Sequence, residues 1–125
     1  MKDELKRVGK PREFSTGSRR DSGDGKPRYS LLPWDILDDV VRRYEQGADA
    51  YGVDNWRLGQ PNRDVFDSAM RHLKAFANGE EDEDHLSAVI WNCLTLKHNM
   101  KYYKDKPEIN NYPIKMEDYY DNSKE

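Results

Sequence analysis

The chain has a single cysteine, Cys93. No disulfide can form within it, so a secreted disulfide scaffold is excluded and a reducing cytoplasm is expected. With no charged partner beside it in the run "AVIWNCLTL", Cys93 reads as a buried packing residue rather than a nucleophile. No apolar run approaches the roughly 20 residues of a membrane span, so no membrane association is expected. The opening "MKDELKRVGK" lacks the apolar centre of a signal peptide. There is no internal repeat, no strong strand pattern and no Walker spacing, which excludes a P-loop. Apolar residues are also scarce, at 35% against 36% charged. They concentrate between residues 31 and 100, so that is where a small core can form.

Charge is present in quantity and unevenly placed. Residues 1–30 carry nine Lys/Arg against five acids, residues 31–100 seven against thirteen, and residues 101–125 five against six. A basic arm on an acidic centre suits an anionic ligand met by a divalent cation. The net charge of −3 gives no support to nucleic-acid binding.

The pattern predicts an all-α fold: a small bundle of three main helices, an irregular basic N-terminal arm and an extended C-terminal tail, completed by oligomerisation because three helices make a thin bundle. Residues 1–13 are charged and aperiodic and are expected to be disordered. The first helix is predicted from about Pro33 to Gln46, with Gly47 or Gly52 as its stop. Its stripe is Ile36, Leu37, Val40, Val41, Tyr44 and Ala48. The second runs from about Arg63 to Asn78, with Asn62 as N-cap and Gly79 as C-cap. Val65, Phe66, Ala69, Leu73, Phe76 and Ala77 form its inner face. The third runs from near Asp82 to about Tyr102, with Leu86, Val89, Ile90, Cys93, Leu94 and Leu96 as its stripe. His85 and Asn92, two turns apart, fall at the margin of that stripe. In the tail, Tyr112, Tyr119 and Tyr120 are placed to dock on the body or on another subunit.

Two segments carry chemistry. In "GEEDEDHLSAVIWN" five carboxylates, Glu80 to Asp84, precede His85. Acids in a first turn suit the helix dipole, at about 0.3–1 kcal/mol each. Five in a row exceed that need, and their repulsion would be relieved by Mg²⁺, which takes oxygen ligands. Glu80, Glu83 and Asp84 are the candidate ligands, with Glu45 of the first helix as an opposite wall. In "FSTGSRRDSGDGKPRY" the glycines permit unusual backbone angles, and Arg19, Arg20, Lys26 and Arg28 are candidate phosphate partners. "DNWRLG" adds Asn55 and Trp56. Arg71 and His72 stand beside the apolar face of the second helix, and Asn92 follows Trp91.

The joint order of "FSTGSRRDSGDGKPRYSLLP", "GADAYGVDNWRLG" and "AMRHLKAFANGEEDEDHLSAVIWN" resembles a phage and prophage domain, the N-terminal region of dATP/dGTP diphosphohydrolase, related to the MazG-like all-α nucleotide pyrophosphohydrolases. The resemblance covers roughly residues 12–98. It implies a Mg²⁺-dependent enzyme, with Mn²⁺ as an alternative ion. The enzyme would be oligomeric and cytoplasmic (in the host cytoplasm if phage-encoded), cleaving a purine deoxynucleoside triphosphate to monophosphate and pyrophosphate. By position, Gly17, Arg20, Asp21, Lys26 and Arg28 match the N-terminal motif. Asn55 and Trp56 match "NW", Arg71 and His72 match "RH", Glu80, Glu83, Asp84 and His85 match the acidic motif, and Asn92 matches "WN". On this resemblance Glu80, Asp84 and His85 are the expected catalytic residues. Residues 14–100 become a MazG-like nucleotide-binding domain that includes the arm, and residues 101–125 a tail. "AMRHLKAF" lacks the carboxylates that the broader group carries on that helix. The other reading is therefore a protein that binds and sequesters a nucleotide, or a cyclic or dinucleotide signal, without hydrolysing it.

Overall fold

The computed structural model describes residues 9–120; the first eight residues of the segment expected to be disordered lie outside them. The chain divides into two compact units, residues 1–33 and 34–125. The described residues after 102, up to 120, fall in the second unit.

In the first unit β1 (Arg12–Glu13) pairs antiparallel with β2 (Arg19–Arg20), Arg12 opposite Arg20 and Glu13 opposite Arg19. Residues 12 and 13 are thus ordered in a ribbon, where disorder was expected. Gly17, at φ 88°, makes the turn, and its N–H donates to Phe14 O at 2.9 Å. Arg12 Nε donates to Asp21 O at 2.8 Å. Arg19, Arg20, Lys26 and Arg28 are all exposed on this unit.

The second unit holds α1 (Trp34–Tyr51), α2 (Asn62–Ala77), α3 (His85–Tyr102) and the short α4 (Met116–Tyr119). The protein is all-α in its main elements, as the periodicity predicts. Pro33 precedes α1, and Asp35 in its first turn faces the positive end of the dipole. The helix runs through Gly47 and stops at Gly52, φ 99°, whose N–H closes on Ala48 O at 2.8 Å. Gly79, φ 75°, turns the chain after α2 as expected.

Asn62 is not the N-cap. It is the first residue of α2, and its side chain is fully buried. Its Nδ2 donates to Asn110 Oδ1 at 2.7 Å and to Tyr112 O at 3.1 Å, and its Oδ1 accepts from Asn99 Nδ2 at 3.1 Å. The tail is drawn in by the same network: Asn62 N–H donates to Ile109 O at 2.8 Å and Arg63 N–H to Asn111 Oδ1 at 2.9 Å. Tyr112 packs on Phe66, with centroids 4.9 Å apart, and Arg63 lies over its ring. Arg63 also donates to the Tyr119 hydroxyl at 3.4 Å. Tyr120 stays exposed.

The stripe predicted for α3 is only partly turned inward, with Val89 and Leu96 half-buried. Leu86, Ile90, Cys93 and Leu94 are exposed, while Ser87, Ala88, Asn92, Thr95 and Asn99 are buried. The reason is pairing. Asn92 Nδ2 donates to Ser68 Oγ at 3.3 Å, Thr95 Oγ1 to Trp91 O at 3.1 Å, and Asn99 Nδ2 to Gln60 O at 2.9 Å. These side chains find partners along α2 and in the α3 backbone, and the small Ala69 and Ala88 are buried with them. Cys93, expected to be buried, lies outside this face. The stripes of the other helices are divided in the same way. Val40, Val65 and Ala69 are buried, whereas Ile36, Val41, Leu73, Phe76 and Ala77 are exposed.

Candidate functional site

The site lies on the face where α1 meets α3. Capping fixes its acidic end. Asp84 Oδ1 accepts from Ser87 N–H at 3.0 Å and its Oδ2 from Ser87 Oγ at 2.5 Å. Those bonds, first the hydroxyl and then the amide, hold the Asp84 carboxyl below the usual carboxylate range. The acid expected to be catalytic thus serves as the N-cap of α3. It places His85 as the first helical residue, with its side chain only 7% exposed.

Two histidines then meet. His85 Nδ1 is 2.9 Å from His72 Nδ1, reached from α2. His85 Nε2 is 2.7 Å from Asp82 Oδ1; a carboxylate can only accept, so Nε2 carries the proton. That hydrogen bond is the main cause of the lowered pKa of Asp82. Burial is the main cause of the lowered pKa of His72, opposed by the charge of Glu83. Glu83 Oε1 lies 3.8 Å from His72 Nδ1 and 2.9 Å from Arg43 Nη2 on α1. Asp39, Arg42, Arg43 and Gln46 of α1 face Asp82, Glu83, Asp84 and Ser87 across a polar cavity of about 580 Å³.

A second cavity, which shares no lining residue with the first, is aromatic. Tyr44, Gly47, Ala48, Tyr51, Asn55, Trp56, Gln60 and Trp91 surround a cavity of about 420 Å³. Tyr44 stands edge-on to Trp56 at 5.6 Å and to Trp91 at 6.0 Å. Burial raises the Tyr44 phenol pKa, with Arg57 acting against it. Gly47 brings the α1 backbone close to the indole: a Cβ there would be 3.6 Å from Trp91 Cζ2. Asp54, at φ 63°, begins the turn that carries Asn55 and Trp56, and its carboxylate accepts from Arg57 Nε at 2.9 Å. Among the described residues, the Trp91 indole Nε1 is buried without a hydrogen-bond partner. That atom has no exposed surface, so Trp91 lines the cavity with other atoms than this N–H.

Of the residues singled out from sequence, the structure gathers His72, Glu83 and His85 in one cluster and places Asn55 and Trp56 at the aromatic cavity. Asn92 points away, engaged by Ser68. Arg71, Glu45 and Glu80 are exposed. Among the described residues, one group of three metal-ligating side chains comes together: His72, Glu83 and His85. Glu45, Glu80, Glu83 and Asp84, expected to hold Mg²⁺, do not assemble into such a group within one chain. Arg43, Asp82, Tyr44, Gly47 and Tyr51 were not picked out from sequence as site residues. The 40, 43, 44, 47, 51 spacing around Val40 was the available signal for the α1 members.

A family model described as dATP/dGTP diphosphohydrolase, N-terminal, matches residues 16–109. The chain belongs to this family. The name is that of a hydrolase acting on nucleotides. Neither a curated protein nor a solved structure matches the chain. No helix among the described residues is long and apolar enough to cross a membrane.

Proposed function

We propose that the chain binds a purine (deoxy)nucleoside triphosphate along the α1–α3 face and hydrolyses it to monophosphate and pyrophosphate. The observation that carries this reading is the cavity walled by Tyr44, Tyr51, Trp56 and Trp91. A purine offers a flat face for those rings. Arg42 and Arg43 line the other, polar cavity and offer guanidiniums that suit phosphate oxygens. In the reaction a water oxygen adds to the α phosphorus and the bond to the bridging oxygen of the β phosphate breaks. Mg²⁺ belongs to this reading as the ion that accompanies the triphosphate. Arg19, Arg20, Lys26 and Arg28, on the first unit, remain candidate phosphate partners by residue type.

A second copy of the chain is part of the proposal. Leu86, Ile90 and Leu94 form one exposed face of α3, each about 40% exposed, and a row of this kind on a polar-cored bundle is a surface for association. The reading of a binder without turnover is favoured by one observation: Asp84 and Glu83 already hold Ser87 and Arg43.

The test is incubation with dGTP, dATP, GTP and ATP in Mg²⁺, with products separated by anion exchange. Monophosphate and pyrophosphate, with KM raised about tenfold in Trp56→Ala for one lost stacking face, support the enzyme. A thermal shift without products supports the binder. Neither turnover nor a thermal shift with any of the four nucleotides overturns the proposal.

A further inference from the structure

The His72, His85 and Glu83 cluster has the wrong chemistry for Mg²⁺ and the right chemistry for a different ion. Magnesium takes oxygen ligands in a near-ideal octahedron, whereas imidazole nitrogens suit zinc and its neighbours in the first transition row. We infer that His72, His85 and Glu83 form a binding site for a divalent transition-metal ion of the zinc type. The site stands whether or not the chain hydrolyses a nucleotide.

The geometry is close to what such an ion needs. The candidate ligand atoms of the three residues lie within 4.8 Å of one another. A tetrahedral ion with ligands at about 2.0–2.1 Å requires them to be about 3.3 Å apart. The observed 2.9 Å between the two Nδ1 atoms and 3.8 Å from His72 Nδ1 to Glu83 Oε1 bracket that value. The three residues come from two segments held independently. His72 is on α2, while Glu83 and His85 flank the Asp84 cap of α3. Three protein ligands leave one tetrahedral position open, as in ion sites that admit water or a ligand oxygen.

The outer contacts are those of a ligating histidine. His85 donates Nε2–H to Asp82, which fixes the tautomer with a lone pair on Nδ1, facing His72. With both rings neutral, His72 Nδ1–H fills that gap and the two rings bond to each other. For an ion to enter, the His72 proton moves from Nδ1 to Nε2, with no net proton gained or lost. Arg43 opposes a cation by its charge but also holds the Glu83 carboxylate in place. Arg71 is a second nearby positive group. Asp82, Glu83 and Asp84 outnumber the two.

The full chain, stripped of metal by a chelator and dialysed, is titrated with Co²⁺ followed by its visible absorption, and with Zn²⁺ by calorimetry. The expected result is about one ion per chain with micromolar affinity or tighter, a d–d band of tetrahedral intensity, and no displacement by millimolar Mg²⁺. His72→Ala and Glu83→Ala should each weaken binding by about tenfold or more, while His98→Ala keeps it. Because His85 is almost fully buried, His85→Ala can fail to fold; His72→Ala, on a half-buried side chain, then decides, with its circular dichroism matched to the parent. No Co²⁺ or Zn²⁺ binding by the folded chain, or binding that persists in His72→Ala or is lost in His98→Ala, would overturn the site.

Discussion

At the scale of single residues, Asp84 separates two roles that the sequence left merged. Both of its oxygens face Ser87, so Asp84→Ala is expected to lower stability by about 1 kcal/mol, read from the urea midpoint. Asp84→Asn retains a capping oxygen and should keep most of that stability. An equal loss in both would show that charge, not capping, is what matters there. Gly47 and Gly59 form a contrasting pair. Gly47 is helical, and an added Cβ makes only ordinary contact with Trp91. Gly47→Ala should therefore raise stability by about 0.8–1 kcal/mol, seen as a higher melting temperature. Gly59 sits at φ 98°, where a Cβ would be 2.6 Å from Ile109 Cδ1. Gly59→Ala should cost more than about 1 kcal/mol in the same assay.

At the scale of elements, what was legible depended on whether a signal was local. The presence of α1, α2 and α3 follows from helical spacing, and Pro33 and Gly79 mark two of their ends, because these act within a turn of themselves; α1 was expected to end at about Gln46 and runs on to Tyr51. Which face of α3 is buried was not legible. Periodicity assumes that apolar residues go inward, and here Asn92, Thr95 and Asn99 do so because Ser68, Asn62, Gln60 O and Trp91 O receive them. The role of Asn62 was hidden for the same reason, since its partners Asn110 and Tyr112 are some fifty residues away. A chain ended at Lys101 loses those partners and leaves a buried amide unpaired. We expect it to be less stable by about 1–3 kcal/mol, measured by denaturant unfolding. Asn62→Ala should cost a similar amount, and the two changes combined should be less than additive.

At the scale of the whole molecule, the second unit has a small, polar core and exposes the residues that would make an apolar one. Val40, Val65, Ala69 and Ala88 are its buried apolar side chains, while Leu86, Ile90 and Leu94 remain on the surface. If a second copy covers them, replacing Ile90 and Leu94 by Glu should shift the mass measured by light scattering to that of one chain. An unchanged mass would exclude this face as the contact. The cavities illustrate the same division. The acidic run, the two histidines and "DNWRLG" all stood out in the sequence, and the family followed from their order. That Trp91 and Gly47 build one wall, and that Glu83 rather than Glu80 joins the histidines, did not.

The sequence alone determined the three helices and the kinds of side chain available on each, because spacing and backbone angle are properties of neighbouring residues. Only the tertiary structure decided which side of α3 turns inward, which carboxylate caps and which approaches the histidines. Those outcomes depend on hydrogen-bond partners far away in the chain, and a buried polar group goes where its partner is.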